Sequence, residues 1–342
     1  MARKLYFITP ALCGGGIESS THILLKNLRG VSDLEFHWIG INNSAPENFI
    51  DGAMTASLGR SSGDGLWKTL GILMKFRKVI CMERNAIVVA NGELAELLAF
   101  ALPNRIQIVC VEHASMPWSL NRALGFLVRK KLSKSSIVWV TVNSLQETIW
   151  PRIRKFSIIC NPIESTAFNE KDQAEGLVHV GRVTADKGVT LTCVAADSTG
   201  LSLDVYGEGK LRPQLQANYG RNPNIWFHGY VKNVWERIGP NKLFISASMH
   251  EGDGRNIAEA IIRGQPLLLL DTRDNRRFGL PDIFYFRDVD SLVSKIRSNS
   301  ANSFLSLRPS MEVSMREMKK RDPHFVVGEW NSLLTSIAKS DF

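Results

Sequence analysis

Short apolar runs recur along the chain, each closed by a turn and followed by a stretch whose apolar residues have helical spacing. In the first half the apolar runs fall at 5–10, 36–41, 86–90, 106–111, 137–142 and 156–160, with helical stretches at about 17–29, 66–80, 93–102, 118–134 and 144–150. Short apolar runs alternating with helices predict parallel strands joined by crossover helices. The polar segment ESTAFNEKDQAEG (164–176) reads as an interdomain linker, and the pattern resumes at Leu177. The stretch 44–65 is rich in small and polar residues and predicts a surface excursion, with an acceptor-facing loop as the alternative. No solenoid repeat is present. The expectation is an α/β protein of two doubly wound, Rossmann-like halves, for which 342 residues is a suitable length.

The second half carries four marked turns in a fixed order. These are VHVGRVTADKG (178–188), LDVYGEGKL (203–211), IWFHGY (225–230) and SMHEGDGRNIAEAIIRGQPLLLLD (248–271). In open α/β sheets such turns form the crevice at the carboxyl ends of the strands, where ligands bind. Arg182 and Lys187 lie five residues apart, with Lys187 close to the expected helix start, so two cations and helical amides could converge on a diphosphate without a divalent metal. Glu251 falls in a glycine-interrupted turn and Glu259 on the helix after it, separated by ~12 Å of helical rise. That separation argues against a shared proton and for two hydroxyl-binding sites, which a sugar nucleotide supplies on its sugar and its ribose. In the first half, Gly14 to Gly16 follow the strand LYFITP, and His113 ends the run IQIVCVEH. The plainer readings are solvated charges for the four ionic residues, a buried structural histidine, and a tight turn for the glycines.

Taken together, CGGGIE (13–18), VEHAS (111–115), NPIE (161–164), the GR-x4-KG turn, GEG (207–209) and the E-x7-E turn and helix resemble family 4 of the retaining glycosyltransferases. None of these motifs is specific alone; their order and spacing carry the resemblance, which covers nearly the whole chain. It implies the GT-B architecture, two Rossmann-like domains facing a cleft, here 1–164 for the acceptor and 165–321 for the donor, with a final helix (322–342) crossing back. The resemblance assigns Arg182 and Lys187 to the donor diphosphate, Glu251 to sugar hydroxyls, Glu259 to the ribose and His113 to the reacting sugar. The donor-binding set it implies is Gly15, Gly16, Arg182, Lys187, Gly207, Glu251, Gly252, Asp253, Gly254, Arg255, Asn256 and Glu259. The catalytic set is Glu251, Arg182, Lys187 and His113, with no metal and no cofactor beyond a UDP- or GDP-sugar as donor substrate. Two positions depart from the pattern: Asp253 stands where an aromatic is usual, and Asn161 precedes Pro162 rather than glycine.

Charge is unevenly divided. Residues 1–165 hold 19 Lys/Arg against 12 Asp/Glu, whereas 166–342 hold 23 against 21. The segment 119–136 contains Arg122, Arg129, Lys130, Lys131 and Lys134 and no acid. On a helical wheel Leu120, Leu124, Leu127, Val128 and Leu132 share one arc, with Arg122, Arg129, Lys130 and Lys134 outside it and Phe126 among them. This predicts a basic helix lying on an anionic membrane surface; a plain amphipathic helix covering the sheet is the alternative. Five scattered cysteines indicate a reducing compartment, with no disulfide framework and no metal motif. No signal peptide or apolar run near ~20 residues is evident, so the expected location is cytoplasmic, peripheral on the inner membrane face.

Three function classes compete. The first is a retaining glycosyltransferase serving surface polysaccharide or lipopolysaccharide synthesis, with a lipid-linked or oligosaccharide acceptor. A dinucleotide oxidoreductase is disfavoured because the strand FHWIGI (36–41) ends without the ribose-binding acid. A nucleic-acid-binding protein, suggested by a pI of about 9.4, lacks a recognition motif with stacking aromatics. No G-x4-GK[ST] occurs, which excludes a phosphate-loop ATPase.

Overall fold

The computed structural model describes residues 3–28, 34–45, 50, 53–61, 63–83, 85–113, 122–133, 137–144, 156–166, 168–169, 171–300 and 304–339. The chain forms two compact units, Met1–Glu164 with Arg321–Phe342, and Ser165–Lys320. In the first unit the order is β1 (Arg3–Thr9), α1 (Gly16–Leu28), β2 (Leu34–Asn42), β3 (Ala53–Arg60), α2 (Leu66–Met82), β4 (Ala86–Asn91), α3 (Glu93–Ala101), β5 (Gln107–Glu112), α4 (Arg122–Leu132), β6 (Val138–Thr141) and β7 (Phe156–Ile158). The strands make one all-parallel sheet, β3-β2-β1-β4-β5-β6-β7.

Alternation along each strand sends successive side chains to opposite faces. Leu5 and Phe7 of β1 point to a cluster closed by Leu24, Leu25 and Leu28 of α1 and by Val326, Trp330 and Leu334 of the last helix, Pro323–Lys339. Tyr6 and Ile8 face the other way, under Leu73 and Ile80 of α2, Leu98 of α3, and Val128 and Leu132 of α4. Burial on both faces explains why these strands read as unbroken apolar runs.

The stretch 44–65 is not wholly a loop. It contains β3, whose alternating exposure marks it as an edge strand. Its residues AMTASLGR are too small and polar to announce a strand, and pairing with β2, from Phe36 with Ala53 to Asn42 with Arg60, supplies what they lack. The predicted helix at 144–150 from residue 145 on, the end of the segment 111–115, and Leu120 and Lys134 lie outside the described residues.

The second unit repeats the plan with β8 (Gly176–Val180), α5 (Val189–Thr199), β9 (Leu203–Tyr206), α6 (Arg212–Tyr219), β10 (Ile225–Gly229), β11 (Lys242–Ser246), α7 (Arg255–Ile262), β12 (Leu267–Leu270), α8 (Arg273–Arg276), β13 (Tyr285–Phe286), α9 (Val289–Ser300) and α10 (Met311–Arg321), after which α11 (Pro323–Lys339) returns to the first unit. Its sheet order is β10-β9-β8-β11-β12-β13, again all parallel. Strand order therefore reverses between β1 and β4 in one sheet and between β8 and β11 in the other. Those reversals are the topological switch points of doubly wound sheets.

The structure corrects the reading of 119–136. Arg129 is not a surface cation: only 5% of its side chain is exposed. It donates from Nε and Nη2 to Glu96 at 2.8 and 2.7 Å, and its Nη1 pairs with Glu112. The two carboxylates come from α3 and from the end of β5, and a cation between them is what makes their burial tolerable. Their attraction holds the guanidinium charged, well above its ordinary range despite burial. Supplying Arg129 turns α4 so that Leu127, expected inside, is 61% exposed. In the second unit, His179 of β8 is buried, and burial followed by the charge of Lys187 pushes its pKa down to about 4.

Two stability outcomes follow from these buried groups. Arg129→Met should cost about 3–5 kcal/mol by taking the guanidinium from between two buried carboxylates; an unchanged denaturant midpoint of the first unit would show the triad to be dispensable. His179 is neutral in the fold with a pKa near 4, below its ordinary 6.5. The unfolded chain therefore binds the proton first, so this residue's contribution is complete above pH 6.5 and is lost as pH falls towards 4. The unfolding free energy of the second unit should fall with a slope approaching about 1.4 kcal/mol per pH unit, and a His179→Asn variant should lose that slope.

Candidate functional site

At the switch point of the second sheet, the loop after β8 (181–188) and the loop after β11 (247–254) lie against each other. Gly188 sits in the left-handed region at φ 63°, and a Cβ there would stand 2.3 Å from the carbonyl oxygen of Ala247. Only glycine admits both the turn and the approach. The same loop is braced by the GEG turn: the amide of Val183 donates to the Glu208 carbonyl at 2.8 Å, and a Cβ on Gly207 would fall 1.8 Å from the carbonyl oxygen of Gly181. Gly207 thus serves the site as a point of backbone contact between two loops.

Lys187 and Glu251, from the two loops, form a mostly buried ion pair at 2.7 Å. The ammonium also donates to Ser248 Oγ at 3.2 Å and reaches the His250 carbonyl at 3.5 Å. The Glu251 amide donates to Asp274 Oδ2 at 2.9 Å, and Arg277 donates to the carbonyls of Glu251 and Gly252. Backbone and side chain of Glu251 are therefore both fixed. His179, near enough for the charge of Lys187 to help lower its pKa to about 4, is neutral and adds no second cation.

Two helices begin here. The cap of α5 is Gly188 and that of α7 is Gly254, at φ 61°, and neither has a side-chain cap. The Leu191 amide donates to the Gly188 carbonyl at 3.0 Å and the Ile257 amide to Asn256 Oδ1 at 3.0 Å, and what both helix starts offer an anion is the positive end of a dipole. Asp253 is half-buried in the turn that leads to Gly254.

The remaining predicted residues are placed as follows. Arg182 is 70% exposed, 3.6 Å from Asp186, and does not join Lys187. Glu259 is held by Trp235 Nε1 at 2.7 Å and by Arg255 at 2.8 Å, sharing no partner with Glu251 among the described residues. Asn256 donates to the Val180 carbonyl at 2.7 Å, tying α7 to β8. In the first unit, Gly15 packs against Glu18 and Gly16 opens α1. The Glu18 carboxyl is buried and its pKa raised by desolvation, while it accepts from the Ala11 amide at 3.2 Å. His113 follows β5; its Nε2 meets Asn91 Oδ1 at 3.0 Å and its Nδ1 lies 3.5 Å from Asn161 Nδ2. These three residues line a small cavity with Ser20, Thr21 and Trp330.

Sequence reasoning missed Asp274, Arg277 and Trp235. A signal for the first two was present: the charged run TRDNRR (272–277) follows the apolar strand LLLL at the same carboxyl edge of the sheet. No described group of three or more His, Cys, Asp or Glu residues forms a metal-binding cluster.

No protein-family model matches the chain. A curated relative, the poly(ribitol-phosphate) alpha-N-acetylglucosaminyltransferase of Staphylococcus aureus (strain COL), is 20% identical over 178 residues, which are 48% of this chain and 36% of the relative. The chain thus matches about a third of that protein's length. Among solved structures, the sucrose-phosphate synthase of Thermosynechococcus elongatus superposes with a TM-score of 0.81 at 13% identity, over 99% of this chain and 100% of its own. HepE of Anabaena, crystallised with UDP and glucose, superposes with a TM-score of 0.76 at 13% identity, over 98% of this chain and 100% of its own. At such identities it is the fold that is shared, and the chain has the two-sheet α/β fold of GT-B glycosyltransferases.

Proposed function

We propose that the chain is a retaining glycosyltransferase that moves a sugar from a nucleoside diphosphate, uridine or guanosine, to a lipid-linked or membrane-proximal glycan. The observation that carries this reading is the Lys187–Glu251 pair at the switch point, beside two helix starts without side-chain caps. A diphosphate set against those helix starts receives dipole stabilisation. Lys187 has three donors: Glu251 and Ser248 take two, and the third, on the His250 carbonyl at 3.5 Å, is the one a phosphate oxygen would take over. Arg182, free to swing from solvent, adds a second cation at the leaving group.

Glu251 has the fixed backbone expected of a group that must present one carboxylate oxygen to sugar hydroxyls. Glu259 has each oxygen bound once, to Trp235 and Arg255, and a carboxylate's further lone pairs suffice for the ribose. No protein nucleophile is required. The acceptor hydroxyl attacks the face the diphosphate leaves, its proton passes to the departing phosphate oxygen, and catalysis is electrostatic stabilisation and orientation. His113 is oriented by Asn91 through Nε2, and its Nδ1 would serve a sugar hydroxyl by exchanging the 3.5 Å contact with Asn161 Nδ2. The excess of cations in residues 1–165 suits an anionic acceptor, and the curated relative is named for one, a polyol-phosphate polymer.

The two glutamates separate experimentally. In calorimetric titration of the purified protein with UDP and GDP, Glu259→Ala should weaken binding of whichever diphosphate is bound, while Glu251→Ala should spare it and abolish sugar-dependent turnover; equal loss in both would refute their assignment to opposite ends of one donor. Arg182→Ala, at an exposed position and so without cost to the fold, should lose a charge-assisted contact of about 1.5–3 kcal/mol, roughly 10- to 150-fold in donor affinity or turnover.

Retention and metal independence are read on the product and the buffer. NMR of the product from an α-linked donor should show an α-linkage, and a β-linkage would assign inversion. Turnover should persist in EDTA; loss restored by magnesium or manganese would transfer the diphosphate's neutralisation from Lys187 and Arg182 to a metal.

A further inference from the structure

The outward face of α2 is built against the usual amphipathic plan. Thr69, Leu73 and Ile80 are buried on the sheet. At about 100° per residue the opposite arc carries Trp67, Met74, Met82 and Val79, interleaved with Lys68, Lys75 and Lys78. Trp67 is 85% exposed and Met82 77%, and Leu66, Met74 and Val79 are exposed as well. No acidic residue occurs from Leu66 to Met82. The one acid at the helix entrance, Asp64, is bound to Lys68 at 2.6 Å. Arg77 does not join this face, because its Nε donates to the Ala101 carbonyl of α3 at 2.5 Å.

The neighbouring helices continue the surface. α2, α3 and α4 cover the same side of the first sheet, and α3 is sunk between the other two, most of its residues buried. Beyond it α4 exposes Phe126, Leu127, Lys130 and Lys131, with Lys130 Nζ 6.0 Å from the Phe126 ring. The inward turn of Arg129 removes the central cation from α4 and leaves α2 as the larger basic and apolar surface.

We propose that this layer, led by α2, docks on an anionic lipid bilayer, with Trp67, Met74 and Met82 in the interfacial region and Lys68, Lys75 and Lys78 at the headgroups. Charge complementarity and the interleaving select this occupant. A protein interface concentrates its apolar residues centrally and excludes lysine from that core, whereas here lysines alternate with the large apolar side chains across the whole arc. Lysine's long stem lets a helix set its apolar groups below the headgroups while the ammonium stays among the phosphates. No described helix is long and apolar enough to cross a membrane, so the attachment is a surface one. The proposal does not depend on the transferase reading, but it would place an enzyme of that class beside a lipid-linked acceptor.

The test is co-sedimentation of the full chain with phosphatidylcholine vesicles of rising phosphatidylglycerol content. Bound fraction should rise with anionic lipid and fall with salt, since exposed charges are screened over about 8 Å at physiological ionic strength. Lys75→Gln with Lys78→Gln should lower affinity at least ten-fold and flatten the salt dependence. Trp67→Ala with Met82→Ser should lower it at low salt as well, and should remove most of the quenching of tryptophan emission by brominated acyl chains. Lys130→Gln with Lys131→Gln should have the smaller effect. All these positions are exposed, so unchanged thermal unfolding confirms that each variant is folded, and the single Lys78→Gln substitution is the fallback for one that is not. Wild-type protein that ignores anionic vesicles, α2 variants that sediment like the wild type, or salt-sensitive binding to single-stranded nucleic acid without vesicle binding would each overturn the proposal. Donor binding by the α2 variants should equal that of the wild type. Failure of nucleotide binding with vesicle binding intact would count against the transferase alone.

Discussion

An ammonium and a carboxylate withdrawn from water must keep each other paired, and at the carboxyl edge of the second sheet that requirement organises everything around Lys187 and Glu251. Because the two residues hang from loops on either side of the strand-order reversal, the pair fixes the distance between those loops. The Gly188 approach to Ala247 is the backbone counterpart of the same constraint. Asp274 and Arg277 hold the second loop from behind, through its amide and carbonyls, so the carboxylate is aimed by backbone as well as by charge. The edge is held by contacts made within the second unit itself.

Much of this was legible in the sequence because it rests on local signals. A short apolar run, a glycine turn and a helix start are all visible in VHVGRVTADKG, and Lys187 and Glu251 stand where such turns meet at a doubly wound edge. The partnership between them was not legible, since it joins residues 64 apart and neither loop alone announces it. Arg182 shows the same limit from the other side. Its spacing from Lys187 is that of a converging pair, yet the 3₁₀ turn Ala185–Lys187 carries Lys187 inward while Arg182 stays in solvent.

In the first unit the errors came from long-range electrostatics and pairing. Helical periodicity counts arginine as an outward residue, and only the presence of Glu96 on α3 and Glu112 on β5 turns Arg129 inward and rotates Leu127 out. The strand Ala53–Arg60 has almost no intrinsic β signal and exists because the edge of β2 offers it a ladder. The outward face of α2 is hidden for a related reason: a helix apolar on both sides has a weak hydrophobic periodicity, so its exposed tryptophan and methionines vanish into the average.

The last helix gives the chain a temporal order. The first unit is made from two segments that flank the second unit in the chain, and Val326, Val327, Trp330, Leu334 and Ile337 complete the apolar cluster begun by Leu5, Phe7, Leu24 and Leu25. During synthesis from the amino terminus, that cluster stays open while more than 150 residues of the second unit are made and become free to fold. For that interval the α1 side of the first sheet presents an uncovered apolar surface to solvent or to a chaperone. Of the two units, the one begun earlier is therefore completed later, and a ribosome that stalls inside the second unit leaves behind a nascent chain with an open core.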